Sequence, residues 1–247
     1  MNDSTSATLP AWPTRWPKNS FGGIWTWLIA GFIGGLFIAV FLIGLLKPPA
    51  TPAYTATESY LIIGVQVVID VLLIALVLAT LPSLSRFSLR ELGFRLPNRR
   101  ALIVALIGFV AMVVVANGGE TLIEMITKHQ HPQDVVQLFL HLHDPIAIAV
   151  FAIFAVIFTP FAEETLFRVF FFNLGLRYGG FWGGAILSGV LFGIAHGDPY
   201  AAIPLALGGI VLCAVYYRSE NAYASMISHG LFNALSIVAL LFGPKVS

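Results

Sequence analysis

From Ile24 to Leu46 the chain carries no ionisable side chain. A helix needs roughly 20 apolar residues to cross the hydrocarbon core of a bilayer. Within that core the backbone polar groups must be satisfied internally, so such a run folds as a helix. Further apolar runs follow at about 60–81, 101–123, 146–172, 181–197, 201–218 and 222–242. The expected fold is all-α, a polytopic transmembrane helical bundle of about seven spans. An eighth arises if the piece around His141–Asp144 crosses or re-enters. Composition agrees, since 10% of residues are charged against about 25% in soluble domains.

The run from Ile24 is too long for a signal-peptide core and is expected to remain as a span. Residues 1–20 read as a polar, interfacial tail, with Trp12 and Trp16 set among Pro10, Pro13 and Pro17. Residues 21–247 read as a single integral membrane domain. The lone Cys213 rules out an internal disulfide framework and is expected to act as a small buried apolar residue. No basic patch with interleaved aromatics suggests a nucleic-acid partner, so membrane lipids are the expected surroundings.

Loop charge sets the orientation. Arg86, Arg90, Arg95, Arg99 and Arg100 crowd the connection between the second and third spans. The positive-inside rule places that connection in the cytoplasm. Arg15, Lys18, Arg177 and Arg218 then fall on the same side, and the N-terminus is cytoplasmic. The 124–144 connection falls outside. The expected location is the cell (inner) membrane. Gly180, Gly183, Gly184, Ser188, Gly189, Gly193 and Gly197 concentrate in the fifth span. Small residues let transmembrane helices approach closely, which marks this span as central; Gly31 and Gly35 make a weaker case for the first.

Against this apolar background, three segments hold polar side chains: FAEETLFR, LFGIAHG and SHGLFN. Even lenient scales charge a few kcal/mol for an ionisable group at mid-bilayer, so groups in three helices suggest joint use. Residues four apart share a helix face, while neighbours diverge by about 100°. Glu164 and Arg168 are therefore expected to pair, leaving Glu163 free to take a proton from water. Phe192 shares a face with His196. Ser225, His229, Asn233 and Ser236 form a polar stripe, and His229 and Asn233 can donate to a developing oxyanion. Glu163 and His196 both lie roughly 20 Å from the cytoplasmic ends of their helices. His229 lies only about 10 Å in by the same measure, a mismatch of depth. Asp70, one turn after Gln66, reads as a structural hydrogen-bonding group, as does Asn117. His129, His131, His141 and His143 lie in the outer connection, in the unpersuasive spacings HQH and HLH.

Other intramembrane chemistries leave marks that are missing. There is no HExxH zinc motif, no GxGD with a second intramembrane aspartate, and no serine in a GxSG setting. Water activated by a carboxylate is the chemistry left. With Glu163-Glu164-x-x-x-Arg168, Phe192-x-x-x-His196 and His229-x-x-x-Asn233 in this order, the chain resembles the CAAX protease and bacteriocin-processing family. These are intramembrane glutamate proteases that include the type II prenyl-protein endopeptidases. The resemblance covers about residues 145–242, the motif-bearing catalytic core.

The resemblance implies a helical fold enclosing a polar cavity. It implies Glu163 and His196 activating water and His229 and Asn233 stabilising the oxyanion, with Glu164, Arg168 and Phe192 in support. Family members are often labelled metalloproteases, and Glu163, His196 and His229 are the candidate ligands for Zn²⁺. Their spread over three helices gives no compact ligand motif, so a metal-independent route is the expectation. The expected function is endopeptidase cleavage of a membrane-associated or lipidated peptide or protein substrate. Two rivals are a non-catalytic membrane scaffold, or immunity-type binding protein, and a small-solute or proton transporter. No internal repeat or matching pair of broken helices favours transport.

Overall fold

The computed structural model describes residues 20–46, 56–129, 133–140, 142 and 144–242. The tail expected at 1–20 lies outside them except for Ser20, as do His131, His141 and His143. The described residues form helices α1 (Ile24–Leu46), α2 (Ala56–Ser85), α3 (Arg99–Thr127), α4 (Asp134–Leu140), α5 (Pro145–Ile153), α6 (Thr159–Glu164), α7 (Asn173–Ala195), α8 (Ala202–Ser219) and α9 (Ala222–Phe242). Two π-helical segments, Phe154–Phe158 and Thr165–Phe172, flank α6.

Among the described residues six helices are long and apolar enough to cross a membrane. The expected fourth and fifth spans lie in one helical run, Pro145–Ala195, and this accounts for the lower number. That run folds back at Gly180, whose φ of 62° and ψ of −164° suit glycine alone. Its two limbs then pack together, Gly175 against the backbone of Gly184. The short α4 cannot cross. Asp144 instead caps α5, accepting from the Ile146 N–H at 3.0 Å.

The small residues of the second limb of α7 let α8 approach. A Cβ on Gly189 would stand 2.7 Å from the Ala206 carbonyl, and one on Gly193 would meet that of Ala202. The most enclosed segment is nevertheless Thr165–Phe172, in which all eight residues are buried. Gly31 and Gly35 have nothing nearby, while Gly44 makes the close contact of α1, against the Gly197 carbonyl.

The arginine-rich ends gather on one side. The Phe21 N–H donates to the Leu84 carbonyl, and the Tyr178 hydroxyl to the Phe21 carbonyl. Arg95 lies 3.9 Å from Glu220, and Arg100 donates to the Arg218 carbonyl. The segment between α2 and α3 roofs the α8–α9 turn. Gly93 accepts from the Ala222 N–H at 2.9 Å, and Leu92 accepts from the Tyr216 hydroxyl at 2.8 Å. The start of α9 is thereby sunk below the surface, with Ala222 fully buried.

Candidate active site

Glu164 and Arg168 pair as their spacing predicts, with Nε 3.1 Å from Oε2 and both side chains wholly buried. The Arg168 guanidinium also lies 4.5 Å from the Phe192 ring centroid, a cation–π contact that strengthens away from water. The contact with Glu164 is an ion pair without hydrogen-bond geometry, and Nε, Nη1 and Nη2 have no hydrogen-bond partner among the described residues. Glu163 faces elsewhere and is 21% exposed. One carboxylate is locked in an ion pair and its neighbour is accessible.

Each imidazole is oriented through Nδ1. In His196 this atom is 2.8 Å from the Phe192 carbonyl, and in His229 it is 3.0 Å from Glu164 Oε1. A carbonyl only accepts, and so does an ionised carboxylate, so both Nδ1–H groups donate. Both Nε2 atoms then face the free carboxylate. His196 Nε2 is 3.9 Å from Glu163 Oε1, and His229 Nε2 is 3.6 Å from Oε2. These separations exceed a direct hydrogen bond. His196 is accessible, its side chain 27% exposed, whereas His229 is nearly enclosed at 6%.

Phe192 joins the parts. Its carbonyl holds His196, and its ring packs edge-on against Phe167, His196 and His229. The depth mismatch of His229 also resolves here. Phe172, eight residues beyond Glu164, already touches Tyr216 and Tyr217 at the end of α8. The hairpin tip therefore extends beyond the level at which α9 begins. The seven residues from Ala222 to His229 then match the eight from Glu164 to Phe172. Measuring depth from Arg177 and Phe181 overstated how far the first two helices run into the bundle.

Asn233 lies one turn along α9 from His229 and donates through Nδ2 to the Ala155 carbonyl at 2.7 Å. The need for that bond is local. The Thr159 N–H bonds to Phe154 in the π register. The next N–H would reach Ala155, but residue 160 is proline and has none. Asn233 supplies the missing donor, and Gly230 admits the adjacent Val156 carbonyl, 2.5 Å from where a Cβ would stand. Asn233→Ala is expected to lower stability by about 0.5–1.5 kcal/mol, the cost of losing a hydrogen bond to a partly buried carbonyl. A thermal melt in detergent checks this. Loss of turnover with an unchanged melt would instead mark Asn233 as an oxyanion donor only.

Asp70 is buried near the cluster. It accepts from Gln66 at 2.8 Å and from Thr159, one turn before Glu163, at 3.4 Å. Asn117 donates to the Val113 carbonyl of its own helix. Both make the structural hydrogen bonds expected of them. Cys213 is buried and free. Pro160 and the π segments were missed from sequence; proline after a β-branched residue in an apolar run is the one signal available.

The candidate metal ligands Glu163, His196 and His229 converge. Two ligands of a tetrahedral zinc lie roughly 3.4 Å apart, from bonds of about 2.0–2.1 Å, and the separations here are wider. Among the described residues no three His, Cys, Asp or Glu side chains have the geometry of a metal site.

Fold and site together define an integral, multi-pass helical membrane protein with a carboxylate–imidazole cluster between its helices. Residues 145–235, which carry all seven candidate residues, match the family model described as Type II CAAX prenyl endopeptidase Rce1-like. The match is consistent with the CAAX protease and bacteriocin-processing family, covers less than half of the chain, and supports a protease of the CAAX type. No curated protein and no solved structure matches the chain.

Proposed function

We propose that the protein is an intramembrane endopeptidase that hydrolyses a peptide bond with water activated by Glu163. The observation that carries this reading is the convergence of two imidazole Nε2 atoms on the two oxygens of one accessible carboxylate. A polar contact of 3.9 Å invites a bridging water. Glu163 takes a proton from that water, and His196 Nε2 accepts its second hydrogen bond. The water oxygen attacks the carbonyl carbon. The tetrahedral intermediate then collapses with cleavage of the C–N bond, the proton held by Glu163 passes to the leaving amine, and the acyl half departs as a carboxylic acid.

His229 donates to the oxyanion from Nε2. This requires the doubly protonated ring, whose charge Glu164 supports at Nδ1. Arg168 balances Glu164 in turn. Asn233 fixes α9 against the π segment and so positions His229, and its second amide hydrogen is available to the oxyanion. Phe192 keeps both rings in place. No step needs a metal.

An apolar groove of about 960 Å³ runs between α2, α6 and α9, with Phe161, Met226 and Gly230 among its lining residues. Its rim at Val71, Ile157 and Phe158 is exposed. It flanks the helices that carry Glu163 and His229, and supports a lipid-modified or membrane-embedded peptide as substrate. The membrane is the cell (inner) membrane, with the arginine-rich end cytoplasmic.

Purified protein in liposomes, given matched prenylated and unmodified peptides with and without chelator, tests this reading. Cleavage is expected to favour the lipidated peptide and to survive chelation, with no stoichiometric metal by elemental analysis. Metal and activity lost together would overturn the metal-free route. Peptide binding without cleavage would favour a scaffold.

A further inference from the structure

We propose that the cavity between the start of α3, the hairpin tip of α7 and the end of α8 binds the phosphate head group of an anionic phospholipid. The cavity measures about 630 Å³ and is lined by Arg100, Trp182, Tyr217 and Arg218 among others. It is separate from the Glu163 cluster and from the apolar groove.

Its charge is cationic. Arg100 is held across the gap by its bond to the Arg218 carbonyl, Nη2 to O at 3.3 Å. Arg218 is exposed, and among the described residues its guanidinium makes no hydrogen bond or ion pair. Glu220 also lines the cavity and lies 3.9 Å from Arg95, so the lining carries two guanidinium groups against one carboxylate. A guanidinium offers forked donors that match two phosphate oxygens.

The remaining walls suit a lipid better than a soluble phosphate. Trp182 is 66% exposed beside Tyr217, and such rings favour the head-group level. Below Arg218, the residues Ala214, Ile210, Leu207 and Ile203 follow one face of α8 at helical spacing, with Leu207 and Ile203 exposed. From Arg218 to Leu207 is eleven residues, roughly 16 Å, close to the depth of one leaflet of a core about 30 Å thick. Phosphate at the arginines and an acyl chain along this stripe use both halves of one molecule. Basic pockets between transmembrane helices bind anionic head groups by this arrangement.

The test is native mass spectrometry of the full chain in neutral detergent, titrated with phosphatidylglycerol or phosphatidylcholine. Phosphatidylglycerol adducts are expected at about tenfold lower lipid concentration, and Arg100→Gln/Arg218→Gln is expected to erase that preference. A control variant, Arg90→Gln/Arg99→Gln, removes equal charge outside the cavity and is expected to keep it. Equal adducts for both lipids, or equal loss in both variants, would overturn the proposal. Glycerol phosphate competing at the concentration of the lipid would identify a soluble-phosphate site and overturn the lipid assignment. Circular dichroism confirms that each variant is folded. Activity is not read, so the outcome is independent of the proposed hydrolysis.

Discussion

Glu163→Gln is expected to lower peptide turnover by about 10²–10⁴-fold, the usual contribution of a positioned general base. The amide has the shape of the carboxylate but no basic oxygen, so water keeps its place and loses its proton acceptor. The loss should fall on kcat, with KM little changed. The fold should survive, because Glu163 is partly exposed and makes no direct hydrogen bond to either imidazole. Single-turnover kinetics with a melt of each protein would separate the two effects. Turnover within threefold of wild type at unchanged stability would remove Glu163 from the role of base.

The largest loss of stability is expected at Arg168. Its partner Glu164 is fully buried, and removing one member of such a pair leaves an uncompensated charge, costing about 3–5 kcal/mol. Arg168→Met should therefore lower the unfolding free energy by that amount, measured in mixed micelles with a denaturing detergent. It should also cut activity, because Glu164 holds His229 at Nδ1. The double variant Glu164→Gln/Arg168→Met should recover part of the stability, since the buried charge is gone. It should not recover activity, because a neutral amide supports the His229 imidazolium poorly. An Arg168→Met protein as stable as wild type would show that the pair is not what holds this helix. Recovered activity in the double variant would show that Glu164 does not act through its charge.

Much of the site is legible in the residues themselves, because its logic is helical spacing. The i,i+4 relation pairs Glu164 with Arg168, sets Glu163 apart, and places Phe192 under His196, and all three hold in the structure. The helices are legible too, since few other sequences stay apolar from Ile24 to Leu46. What spacing does not convey is where each helix begins in space. The depth of His229 depends on the segment around Leu92 and Gly93 covering the α8–α9 turn, a long-range contact without local pattern. The same holds for Asn233. Its stripe position suggested a free donor, whereas one amide hydrogen is committed to a carbonyl that Pro160 leaves unpaired. The π segment Thr165–Phe172 carries no signal we can name although all eight of its residues are buried, whereas the glycines of α7 do mark a central helix, packed against that segment, α8 and α1.

Direct attack by water is the central claim, and the absence of a trappable acyl-enzyme tests it. One turnover of a cleavable peptide by the reconstituted protein, in ¹⁸O-enriched water with hydroxylamine present, should yield a new C-terminal carboxylate carrying one labelled oxygen. No hydroxamate and no covalent adduct on the protein should form. A hydroxamate product would reveal an acyl-enzyme intermediate and a nucleophile other than water, and would contradict the role given to Glu163.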